Sequence, residues 1–169
     1  MSGPSAPLRA WSWLFLPALL AVLATVILAT PIRIFGLTPP EPVFPMVLAF
    51  AWPVIRPSLL GPAVLLATGL FLDLFWNGPL GLWGLALLAV YGGAFALRNL
   101  VAGQPHRILW VWYGVLSIVG FGIVWLYLAG LGATPDPLRV GVDLVVTIAL
   151  FPLALHLIER FEDADIRFR

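Results

Sequence analysis

The chain has 169 residues, is 62% hydrophobic and only 10% charged, and has a mean hydropathy of +1.04, whereas soluble domains carry about one quarter charged residues. Nine arginines, no lysine and eight acids cannot cover a water-soluble fold, so the solvent facing most of this protein is expected to be a lipid bilayer. A net charge of +1 gives no basic field for nucleic acid, and the lack of cysteine removes disulfides, thiolate metal sites and cysteine nucleophiles together.

Trp11 to Thr30 is an uncharged run of 20 residues, enough at about 1.5 Å per residue to cross a hydrocarbon core of about 30 Å, and is read as the first span. It has no A-x-A spacing for signal cleavage and is expected to be retained. The stretch Pro31 to Pro42 holds Arg33, Glu41 and the pair Pro39-Pro40, and is a loop because proline lacks the N–H and fixes φ. Val43 to Ile55 is apolar but only 13 residues long, with Pro45 and Pro53, and is too short to cross alone. Residues 58–76, 80–97, 108–129 and 140–158 are four more apolar stretches of spanning or near-spanning length. Between the first two, Asn77-Gly78-Pro79 predicts a tight helical hairpin, with Asn at a helix cap and Pro in the first turn that follows. The tail 159–169, ERFEDADIRFR, reads as a solvated cytoplasmic extension, and the whole chain as a single membrane domain.

If the short segment crosses, there are six spans. With the N-terminus inside, Arg9, Arg56, Arg98, Arg107, Arg160, Arg167 and Arg169 are cytoplasmic and only Arg33 and Arg139 are external. If it is re-entrant, five spans leave Arg9 and Arg139 external, and both arrangements put the C-terminus inside. Trp11, Trp13, Trp76, Trp110, Trp112 and Trp125 lie mostly near span ends and are read as headgroup anchors.

Asp73 and Asp143 are the acids inside apolar segments, where an ionisable side chain is costly. Asn77 follows Asp73 by four positions and Arg139 precedes Asp143 by four, so each acid has a polar neighbour on its own helix face. One reading is an outward polar pocket built from Asp73, Asn77, Asp143 and Arg139, with Arg33 joining it. The structural reading, which ranks ahead, has Asp73 accepting from the N–H groups that open the next helix and Arg139 neutralising Asp143. His156 is read as an interfacial donor. No HExxH, GxSxG or serine-base arrangement occurs, so neither catalysis nor a metal or cofactor is expected. Ala63 with Ala67 and Gly92 with Ala96 have the small-residue spacing that lets helix backbones approach. Packing within the bundle is the leading use expected of them, and docking of a partner's helix the other.

The stretch from Pro42 to Leu97 resembles the MreD family of small integral membrane proteins of the bacterial rod-shape system. The resemblance rests on VFPMVLAFAWPVIR, then on GLFLDLFWNGPLG from Gly69 to Gly81, then on an apolar helix containing Tyr91. It implies an all-α membrane protein, a bundle of six transmembrane helices with a short second one, similar to the S components of energy-coupling-factor transporters. It also implies a non-enzymatic scaffold in the bacterial inner membrane that binds the single-span protein MreC. Through MreC it would help couple MreB filaments to RodA and a class B penicillin-binding transpeptidase, so that peptidoglycan is inserted along the cylinder. The motif positions Asp73, Asn77, Gly78, Pro79 and Gly81 are then fold-determining, and self-association into a homo-oligomer stays open. S components commonly dock their coupling subunit through alanines four apart on the first helix. Ala18, Ala21, Ala24 and Ala29 never have that spacing, which weakens the alternative of a small-solute binding or transport subunit.

Overall fold

The computed structural model describes residues 14–29, 40–101 and 103–156. Among them are six helices and no strand: α1 (Leu16–Ala29), α2 (Pro45–Ile55), α3 (Leu60–Phe75), α4 (Leu82–Val101), α5 (His106–Gly130) and α6 (Pro137–Ala149). A further helical run, 151–156, continues α6. Local chemistry sets the limits. α2 opens on Pro45, whose missing N–H would be an orphan in a first turn anyway. It stops where Arg56 turns extended (φ −154°, ψ 101°), because the residue before Pro57 is pushed out of the helical region. α6 opens on Pro137 behind Asp136, whose carboxylate accepts from the Leu138 N–H at 3.0 Å.

The six apolar segments expected from the sequence all return as helices, but not as six spans. Leu82–Val101, His106–Gly130 and Pro137–His156 are the described helices long and apolar enough to cross a membrane; Leu16–Ala29, Pro45–Ile55 and Leu60–Phe75 are shorter. At 1.5 Å per residue, α2 covers only about 16 Å. Prolines cut the shorter segments: Pro45 and Pro53 bracket most of α2, and Pro57 separates it from α3.

The shortest helix is also the most enclosed. Every residue from Pro45 to Pro53 is buried, and α2 packs chiefly on α4, with α1, α3 and α5 completing the wall. Phe50 meets the Tyr113 ring edge-on at 5.4 Å. α1 presents Ala18, Ala21 and Thr25 inward, in line with the buried Leu14 just ahead of it, and leaves Leu16, Leu19, Leu20, Leu23 and Ile27 exposed. α5 likewise buries Leu109, Tyr113, Leu116 and Gly120 and exposes Val111, Val115, Ile118 and Leu126. The outer surface is therefore apolar on several helices at once, which hydrocarbon accommodates and water does not.

The α3–α4 pair is held at backbone distance. A Cβ added to Gly69 would fall onto the main-chain N and Cα of Gly84 and lie 2.7 Å from the Trp83 carbonyl carbon. Only a residue without a side chain fits there, and the gain is dense van der Waals contact between two helices that have no aqueous driving force to join them. Gly69→Ala is expected to lower the melting temperature in detergent, at a cost of about 1–3 kcal/mol in forced separation. Gly122→Ala, which meets nothing within 4 Å, is expected to leave it unchanged; equal melting of the two variants would contradict the packing described.

Candidate functional site

Asp73 lies in the last turn of α3 and is fully buried. The helix ends around it in a Schellman arrangement: the Gly78 N–H donates to the Asp73 carbonyl at 2.8 Å and the Asn77 N–H to that of Leu74 at 3.3 Å. Asn77 takes the left-handed conformation this requires (φ 52°), which asparagine tolerates better than most residues. The chain then turns through Gly81 (φ 91°) into α4, and the Asp73 side chain receives it. Oδ2 accepts from the Gly81 N–H at 2.7 Å and Oδ1 from the Trp83 N–H at 2.9 Å. One carboxylate thus satisfies two main-chain donors at the start of a helix, where the aligned peptide dipoles favour an acceptor. Pro79 lies in this turn, ahead of α4 and not in its first turn, and its carbonyl accepts from the Leu82 N–H at 3.3 Å.

A second polar cluster gathers where the chain enters α2. The Glu41 N–H donates to Asp143 Oδ1 at 2.9 Å, the Val43 N–H to Thr147 Oγ1 at 3.2 Å and the Phe44 N–H to Thr25 Oγ1 at 3.3 Å. Each threonine hydroxyl in turn donates to a carbonyl one turn back on its own helix, Thr25 to Ala21 at 2.9 Å and Thr147 to Asp143 at 2.7 Å. The Thr147 carbonyl accepts from the Tyr113 hydroxyl at 2.9 Å, and Arg139 pairs with the Glu41 carboxylate at 2.6 Å. At the far end of α2, Tyr91 fixes the exit: its hydroxyl donates to the Ser58 carbonyl at 3.1 Å, and the Ser58 N–H returns a bond at 3.4 Å.

These bonds separate the expected polar pocket into two clusters. Asp73 is closed within its hairpin, with Asn77 exposed beside it, while Asp143 and Arg139 belong to the α2 entrance. Arg139 makes its direct ion pair with Glu41, while its charge also acts favourably on Asp143, whose Oδ1 accepts from the Glu41 main chain. Arg33 and the tail 159–169 lie outside the described residues. Gly92, Ala96, Ala63 and Ala67, expected first to pack inside the bundle, are all exposed, and a Cβ on Gly92 would meet nothing within 4 Å. The close approach is made by Gly69 and Gly84 instead. Trp76 and Trp125, expected at the headgroups, have their indole N–H groups shielded inside the protein, Trp76 lying 5.3 Å from the Trp83 ring.

Sequence reasoning missed Glu41, Thr25, Thr147 and Tyr113. One signal was available: Thr147 follows Asp143 by four positions, so an acid and a hydroxyl share one face of an otherwise apolar helix. Among the described residues no group of three His, Cys, Asp or Glu could hold a metal ion. What the arrangement does chemically is accept hydrogen bonds from main-chain donors.

No family model, curated protein or solved structure matches the chain. Asp73→Ala would leave two donors without acceptors at the start of α4, each costing about 1–3 kcal/mol. We expect Asp73→Ala to lower the detergent melting temperature clearly and Asp73→Asn, which keeps one acceptor oxygen, to lower it less. Equal stability of wild type and Asp73→Ala would overturn the capping role.

Proposed function

We propose that this chain is a non-enzymatic scaffold in the bacterial inner membrane, of the kind its Pro42–Leu97 stretch resembles. It would bind MreC and help couple MreB filaments to RodA and its partner transpeptidase during cell elongation. The observation that carries the reading is how the chain uses its two intrahelical acids: Asp73 and Asp143 both accept from main-chain N–H groups and hold elements together. The GLFLDLFWNGPLG motif on which the resemblance rests is here a folding device, its acid capping the helix that its own turn begins. In this reading the six helices follow the family's order, three of them long and apolar enough to cross a membrane and three shorter. The shortest of these, α2, is enclosed by protein, where non-spanning backbone is tolerated at membrane depth.

Partner capture is assigned to the exposed small residues. Gly92 and Ala96 lie one turn apart on an outward face of α4, where a single transmembrane helix could approach its backbone closely. The alternative of a small-solute binding or transport subunit called for the acids to converge on one pocket, and their partners here are two different main-chain segments.

Deletion of the gene is expected to round rod-shaped cells, and MreC is expected to copurify with the chain. Gly92→Leu with Ala96→Leu is expected to weaken MreC capture about tenfold, equivalent to ~1.4 kcal/mol of packing, without lowering the melting temperature. Rod-shaped deletion cells with undisturbed MreC complexes would refute the proposal.

A further inference from the structure

Helix α6 breaks and restarts. Pro137–His156 is one apolar run of spanning length, yet α6 stops at Ala149 and helical conformation resumes only at residue 151. The cause is Pro152, which has no N–H to offer the Ile148 carbonyl four residues back. Around the break the bonds reach back three residues: the Leu150 N–H donates to the Thr147 carbonyl at 3.1 Å, and the Leu153 N–H to that of Leu150 at 2.9 Å. Leu150 itself has ψ −1°, well off the α-helical value.

Two side chains one turn apart on α5 hold the break. The Trp110 indole N–H donates to the Ile148 carbonyl at 3.4 Å, standing in for the donor that Pro152 lacks, and the Tyr113 hydroxyl donates to the Thr147 carbonyl at 2.9 Å. Both rings also reach past the break. Trp110 stacks on Phe151, with centroids 5.8 Å apart and planes 13° apart, and Tyr113 tilts against the same ring at 6.0 Å. The two holds differ. Tyr113 is fully buried, its ring also lies against Phe50 in the core, and the carbonyl it serves accepts from the Leu150 N–H as well. Trp110 is 50% exposed and makes the longer bond, so it can turn away without opening the core.

We infer that Trp110 is the latch of a hinge in α6. Engaged, it fixes the direction of segment 151–156; released, it lets that segment swing about residues 149–152. The device is independent of the proposed role in cell elongation. Its signature is conditional: Trp110→Phe keeps a ring against Phe151 but loses the N–H, so it frees the hinge only where Pro152 leaves the Ile148 carbonyl without a helical donor. The chain has no cysteine, so spin labels on cysteines introduced at the exposed positions Leu126 and His156 report a single distance between α5 and the segment. The full chain in lipid nanodiscs is expected to give one narrow distance distribution. Trp110→Phe is expected to broaden or displace it by about 3 Å, the arc of a ~20° kink carried over the six residues 151–156. Pro152→Ala restores the N–H and continues the helix, and the distribution is then expected to stay narrow with or without Trp110→Phe. An unchanged distribution on Trp110→Phe in the otherwise native chain, or an equal change in the Pro152→Ala background, would overturn the latch.

Discussion

A main-chain N–H removed from water must find an acceptor inside the protein, and at the mouth of α2 this requirement ties three parts of the chain together. The segment 41–44 carries three donors into an apolar interior, and they are met by Asp143 and Thr147 from α6 and Thr25 from α1. Thr147 is the only buried residue of Pro137–Ala149, with Val140 and Leu144 packed half-buried on the core and Phe151 and Ala154 buried in the run that continues it, so directional bonds to the α2 entrance and to Tyr113 add to apolar packing in fixing the position of α6. A satisfied polar network in a medium of low dielectric specifies one arrangement, because any slip leaves an unpaired donor.

The α3–α4 hairpin applies the same rule with different parts. Asp73 serves two donors of the incoming helix, the Asn77 turn satisfies the carbonyls of the outgoing one, and Gly69 against Gly84 removes the side chains that would keep the helices apart. Tyr91 completes the set by holding both main-chain groups of Ser58 where α2 passes to α3. The polar side chains here are thus spent mainly on the backbone, which lets a helix of only 11 residues sit enclosed among longer ones.

That economy bears on function. Acids committed to main-chain donors are poor candidates for proton transfer or substrate binding, since displacing them exposes the groups they satisfy. What remains exposed among the described residues is the outside: apolar helix faces with scattered small residues.

The order and approximate limits of the six helices were legible in the sequence, because they follow from local physics: run lengths of apolar residues, prolines that stop helices, and the Asn77-Gly78 turn. Asp73 as a cap was legible for the same reason, its donors lying eight and ten residues away. The partners of Asp143 and Arg139 were not, since Glu41 lies 102 and 98 residues off. Nor was the choice of which small residues meet. In a protein bathed by water the inner face of a helix announces itself by being more apolar than the outer one. Here both faces are apolar, so the sequence places Gly92, Ala96, Gly69 and Gly84 along their helices, but only tertiary packing decided that the last two meet and the first two face outward.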